Sequence, residues 1–268
     1  MNEFDKAQSV FNNDMDTNDY FDSFSAEETK KKLFEVLNSD DIHLTFLVGE
    51  PGVGKTFMLH FIEDKLKKRK NIVFFKDPLL TKNEFFKKLI THISAKEERL
   101  DDLRYGDLKE MALSLYKNVD NAVFIDEAQL MTDEQFEMVR ILSDTKVFRF
   151  VLALHKKDKK RILKSDYFKS RNHLNITLKP LQDSEVGRYI QSKLLNNSLG
   201  EISSMFEKSH FDTIAKLTHR NFRTLKRYMS TLFELLSYVK NNNLRHYKGI
   251  DKRLLIMAAI DTGLIDVK

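Results

Sequence analysis

Gly49-Glu50-Pro51-Gly52-Val53-Gly54-Lys55-Thr56 is a complete G-x-x-x-x-G-K-[ST] phosphate loop, and it directly follows the apolar run Ile42, Leu44, Phe46, Leu47, Val48. Such a loop needs glycine because its backbone N–H groups curl around phosphate oxygens at conformations that a Cβ would forbid. In this pattern the lysine, Lys55, reaches the β- and γ-phosphates, and the hydroxyl of Thr56 ligates Mg²⁺. The chain has eight glycines and three fall within these few positions, which separates the stretch from a chance turn. Phe57, Leu59, Phe61, Ile62 and Leu66 follow at helical spacing, so the phosphates are expected at a helix N-terminus. The reading is a nucleoside triphosphatase that takes ATP and Mg²⁺ in the loop from Gly49 through Phe57.

Outward from the loop, short apolar stretches at 43–48, 72–76, 121–126, 147–154 and 174–178 predict strands, with helical stretches near 55–69, 83–95, 106–117, 133–143 and 158–169 between them. Alternating strands and helices predict an α/β fold, a parallel sheet sandwiched by helices. From Leu181 onward only helical spacing recurs, near 183–197, 209–218, 222–240 and 251–262. The expected organisation is therefore an acidic, mobile segment over 1–24, a nucleotide-binding core over 25–180 and a smaller α-helical lid domain over 181–268. Ser25-x-x-Glu28 has the pattern of a capping box and predicts the start of the first core helix.

Val123-Phe124-Ile125-Asp126-Glu127 is an apolar strand ending in two acids, the Walker B arrangement. A buried strand presents its last residues at the carboxyl edge of the sheet, where open α/β sheets bind ligands. Asp126 is then expected to hold Mg²⁺ through water and Glu127 to polarise the water that attacks the γ-phosphate.

The 268-residue chain has 32% charged residues, no cysteine and a net charge of +5. Disulfides and thiolate metal sites are excluded. No apolar run approaches the roughly 18 residues of a membrane helix, and the start is acidic where a signal peptide is basic and apolar; the expected location is cytoplasmic. Residues 1–29 carry eight acids against Lys6 alone, which leaves the rest of the chain at +12. Such a field favours nucleic acid, anionic lipid or an acidic protein without choosing among them. The run Lys156–Lys164 lacks aromatic residues for base stacking, and a solvated helix face accounts for it.

The loop Gly49–Thr56, the segment Asn71-Ile72-Val73-Phe74-Phe75-Lys76-Asp77-Pro78-Leu79-Leu80-Thr81-Lys82-Asn83-Glu84-Phe85-Phe86, and Phe124-Ile125-Asp126-Glu127-Ala128-Gln129 together resemble the AAA+ module of general secretion pathway protein A, the ExeA-like or MshM-like family, which is related to transposition ATPases of the TniB and MuB type. The similarity covers roughly residues 20–240, including the aromatic entry Tyr20-Phe21. Asp126-Glu127-Ala128-Gln129 is also similar to the box of DEAD-like helicases, but those need two RecA-type domains and usually a longer chain. The AAA+ resemblance implies a polar sensor at His155, where relatives carry a small polar residue or a glutamine-like group. It implies an arginine finger at Arg171, with Arg161 as the substitute, and a second sensor at Arg223, with Arg220 as the fallback. Asn221 is a plausible N-cap for the helix that carries Arg223, whereas the family's glycine-containing turn is absent from Thr218-His219-Arg220-Asn221-Phe222-Arg223.

The family reading implies a homo-oligomeric ATPase that drives assembly or remodelling of a secretion, type IV pilus or DNA-uptake (competence) machine. It would be peripheral at the inner membrane through a protein partner, since the membrane span and peptidoglycan-binding region of longer members have no counterpart here. The alternative is a DNA-binding AAA+ ATPase of the transposition-regulator type.

Overall fold

The computed structural model describes residues 2–12, 17–78, 80–94, 100–163, 168, 172–244 and 249–266. They fold as two units, Glu28–Pro51 with Lys55–Leu178, and Met1–Glu27 with Gly52–Gly54 and Lys179–Lys268.

The first unit is built on five parallel strands: β1 (Leu44–Gly49), β2 (Asn71–Phe75), β3 (Asn121–Ile125), β4 (Phe150–His155) and β5 (Leu174–Thr177). β1 and β3 are buried along their whole length, which is why they read as unbroken apolar runs and not as alternating ones. Their order across the sheet is β2-β3-β4-β1-β5. The chain therefore leaves β1, passes over two strand positions to β2, and returns through β3 to β4 at its starting point. That crossing is a topological switch point, the place where open sheets receive ligands. The register pairs Gly49 with His155 and Phe75 with Ile125, so the loop after β1, the acids after β3 and the last residue of β4 leave the sheet along one edge.

The helices of this unit are the greater part of α2 (Phe24–Leu37), α3 (Lys55–Leu66), α4 (Lys82–Ser94), α5 (Tyr105–Tyr116), α6 (Asp133–Asp144) and the short α7 (Lys159–Leu163). Phe46, Phe75, Phe86, Phe124 and Phe150 are fully buried. α6 opens on a capping box, Thr132 with Gln135, whose side-chain amide also donates to the carbonyls of Pro78 and Leu80 at 2.8 and 2.6 Å and so fixes the turn after β2. The expected cap of α2 at Ser25 is displaced. Ser23 Oγ accepts the N–H of Ala26 at 3.2 Å, while Ser25 Oγ, already inside the helix, accepts from the backbone of Lys179 at 2.8 Å.

The second unit is helical: α1 (Glu3–Asn12), the start of α2, α8 (Asp183–Asn196), α9 (Gly200–Ser204), α10 (Lys208–Leu217), α11 (Phe222–Asn241) and α12 (Lys252–Asp261). The expectation of a mobile acidic start is not met over residues 3–12. Phe4, Ala7, Val10 and Phe11 recur at helical spacing among the acids and form the buried face of α1, which lies against α11. Phe11 stands 5.7 Å from the ring of Phe233 and 6.4 Å from that of Tyr189. The acids themselves are compensated within the unit. Glu3 pairs with Lys240 at 2.5 Å, Asp22 with Arg188 at 3.0 Å, and Asp19 with the nearly buried Lys193. The negative charge of the start therefore meets lysines and arginines of the C-terminal helices, and burial of α1 outweighs the polar composition that argued for mobility. Phe11→Ala is expected to cost about 3 kcal/mol, measured as a lowered urea midpoint; an unchanged midpoint would show that α1 adds nothing to this core.

Candidate functional site

In the first unit, Lys55 opens α3 and is 6% exposed, its ammonium donating to the carbonyls of Gly49 and Glu50 at 3.1 Å each. The loop's own carbonyls thus hold the cation at the loop. Thr56, one residue on, donates its hydroxyl to Asp126 Oδ2 at 2.5 Å. A buried strand end and a helix N-terminus have been brought together across 70 positions of sequence. The donor set is all oxygen, which suits Mg²⁺ and not a softer metal. Among the described residues no group of three or more His, Cys, Asp or Glu could hold a metal ion. A loop of this kind needs none, since phosphate and water supply the remaining ligands. When bound there, Mg²⁺ would neutralise charge on the phosphates, with Thr56 and Asp126 as its protein-side oxygens.

Glu127 leaves β3 in the left-handed region, φ 49°, a conformation that costs a non-glycine residue about 1 kcal/mol or more. Its N–H is held by Asp126 Oδ1 at 2.9 Å. Its carboxylate Oε2 accepts the side-chain amide of Gln129 and lies 3.2 Å from His155 Nε2. His155, half-buried at the end of β4, is therefore neither a solvated strand end nor aimed at open water; it faces the carboxylate of Glu127. Glu50 lies at the exposed rim of the loop and pairs with Lys156 at 3.4 Å, Pro51 is exposed, and Phe57 is half-buried in the first turn of α3.

In the second unit, Gly52 and Gly54 have φ of 81° and 100°, the positive values for which the loop needs glycine, and Val53 between them is buried. Asn221 caps α11, its Oδ1 accepting the N–H of Arg223 at 3.1 Å and of Thr224 at 3.3 Å. The Arg223 N–H is shared with the carbonyl of Gly52 at 3.2 Å. A Cβ on Gly52 would stand 2.5 Å from Asn221 Oδ1 and 2.8 Å from Arg223 Cβ, so glycine here serves close approach as well as φ. The turn before α11 is made without glycine by His219 and Arg220, both left-handed at φ 49° and 58°. The Arg220 carbonyl accepts from Leu181 at 3.1 Å and its guanidinium lies 3.5 Å from Asp183.

Arg171 lies outside the described residues. Its substitute, Arg161, is exposed on α7 and donates to the backbone carbonyl of Gln129 at 3.2 Å. Two residues escaped the reading of the sequence as parts of the site. Gln129 stood in it only as a mark of resemblance, although its place two positions beyond Glu127 was a usable signal. Asn221 was read as a cap and not as a neighbour of the loop, and nothing in the sequence brings positions 52 and 221 together.

The AAA domain family matches residues 40–162, the stretch that contains the loop, the acids of β3 and His155. Among solved structures the fold is similar to the Walker-type ATPase PABY2304 of Pyrococcus abyssi, with a TM-score of 0.66 at 16% identity over 95% of this chain and 76% of that one. The fold is that of an AAA+ ATPase. The AAA+ architecture is also similar to Drosophila ORC bound to DNA, TM-score 0.67 at 13% identity over 96% of this chain and 65% of that one. A third similar structure is the Aeropyrum pernix ORC2 protein in its ADPNP and ADP complexes, TM-score 0.57 at 15% identity over 88% and 66%. The chain thus spans about two-thirds of those ORC chains. No curated protein sequence matches it. A complete phosphate loop, the paired acids and the AAA+ sheet make the chain an ATP-hydrolysing enzyme. The likeness to secretion protein A narrows to this AAA+ level.

Proposed function

We propose that this AAA+ ATPase couples its nucleotide cycle to the remodelling of an assembly on DNA. The observation that carries the ATPase part is the meeting of Thr56 with Asp126 at 2.5 Å beside Glu127. Lys55 and Arg223 are the cations assigned to the phosphates, Glu127 the base and His155 the sensor. Self-assembly is part of the reading, with Arg171 reaching the site of a neighbouring copy. DNA is favoured by the +12 carried outside residues 1–29 and by the same fold in Drosophila ORC bound to DNA, an analogy at the level of fold. A secretion, pilus or uptake machine at the inner membrane rests on the family resemblance alone. Among the described residues no helix is long and apolar enough to cross a membrane.

Salt dependence tests the choice. Each phosphate neutralised by a lysine or arginine releases condensed counterion, so a face that contacts six to ten phosphates loses about 10³ to 10⁵ in affinity between 50 and 200 mM salt. ATP-dependent binding to long duplex DNA with that steep slope is the expected result. Absence of DNA binding at 50 mM salt, together with ATP-dependent recovery in a membrane fraction, would overturn the DNA reading for the membrane machine.

A further inference from the structure

We infer that Gln129 is a positioning residue for hydrolysis, holding the Glu127 carboxylate by one oxygen so that the other faces the attacking water. The inference rests on the reading of Glu127 as the base.

Gln129 is itself fixed. It sits in the single turn Ala128–Leu130, closed by the N–H of Leu130 on the Glu127 carbonyl at 2.9 Å and the N–H of Met131 on the Ala128 carbonyl at 3.1 Å. Ala128, fully buried, anchors that turn in the core, and Arg161 holds the Gln129 carbonyl from α7. The side-chain amide then has one orientation that chemistry allows. A carboxylate only accepts and a backbone N–H only donates, so Nε2 goes to Glu127 Oε2 and Oε1 takes the N–H of His155, at 3.3 Å. One amide therefore ties the acid after β3 to the last residue of β4.

Two consequences follow for the carboxylate. The last torsion of a glutamate is broad, and a group that must take a proton within hydrogen-bond reach gains from having that rotation removed. With Gln129 donating to Oε2 and His155 Nε2 3.2 Å from the same oxygen, the second oxygen is left for the water. The donor is also neutral. A lysine or arginine at this position would orient the carboxylate equally well but would weaken it as a base through its charge, whereas an amide gives direction without that penalty.

The test is Gln129→Met, which keeps the length of the side chain and loses both hydrogen bonds, and Gln129→Glu, which keeps the acceptor for His155 and loses the donor to Glu127. The expected result for both is a kcat lower on the order of tenfold to a hundredfold, with equilibrium ATP affinity within about twofold of the parent, the split that marks an interaction used in the transition state. Glu127→Gln combined with Gln129→Met should match Glu127→Gln alone in single-turnover hydrolysis, because Gln129 acts through Glu127. A kcat near that of the parent for either variant, with Glu127→Gln inactive, would overturn the inference and leave the base in place. Equal losses of kcat and ATP affinity, or a further loss in the double variant, would also overturn it by assigning Gln129 a structural role. Normal turnover by Glu127→Gln would instead remove the reading on which the inference stands.

Discussion

Glu127→Gln is expected to bind ATP like the parent chain and to lower its turnover by about 10² to 10⁴, the usual contribution of a positioned general base. The substitution keeps the shape of the side chain and removes its negative charge and its capacity to take a proton. Lys55, Thr56 and Asp126 are unaltered, and the two hydrogen bonds from Lys55 to the carbonyls of Gly49 and Glu50 do not involve Glu127. Equilibrium binding of ATP and single-turnover hydrolysis, measured on the same preparation, separate the two effects. Turnover at the parental rate would remove Glu127 from the chemistry.

Lys55→Ala is expected to act on the other quantity. The ammonium is buried and directed by two carbonyls at 3.1 Å, so it is organised before ATP arrives and meets the phosphates with little loss of side-chain freedom. Truncating one partner of a buried, hydrogen-bonded charge pair costs about 2 to 5 kcal/mol, and the middle of that range is more than a hundredfold in affinity. The cost falls on binding, because the phosphates carry their charge before as well as during hydrolysis. Calorimetric titration with ATP gives the number, and thermal unfolding without nucleotide controls for damage to the loop. Affinity within about twofold of the parent would exclude Lys55 from phosphate binding.

Much of this arrangement was legible in the sequence because the parts that make it are local. A phosphate loop is eight consecutive residues, a buried strand is a short apolar run, and the acid pair ends one such run, so β1, β3, Lys55, Thr56, Asp126 and Glu127 could be read without knowing how the strands are ordered. What links them could not. The place of β4 between β1 and β3 is decided by packing across the sheet, and only that order brings His155 to Glu127 and Gln129, more than 25 positions earlier in the chain. The same limit hid α1. Composition over 1–29 is acidic, and the apolar face of α1 gains meaning only from helices far along the chain, as Phe11 does from Tyr189 and Phe233. The left-handed turn at His219 and Arg220 was obscured for the opposite reason. Glycine is the expected residue there, and the surrounding helices hold two ordinary residues in its conformation.

The contact of α1 with α11 sets an order of events during synthesis. Asn2 Nδ2 donates to Ser237 Oγ across 235 positions, so α1 leaves the ribosome long before the helix it packs on. Glu28–Pro51 and Lys55–Leu178 can bury their sheet as soon as β5 has emerged. α1 must wait for α11, and at the ordinary pace of about 5 to 20 residues per second that is roughly 10 to 45 seconds with Phe4, Val10 and Phe11 in water. For that interval the nascent chain carries a short amphipathic segment whose apolar residues are uncovered, too short to hold a helix by itself. The acids around that segment then serve a purpose they no longer have once Glu3 and Lys240 have met: they keep the waiting segment soluble.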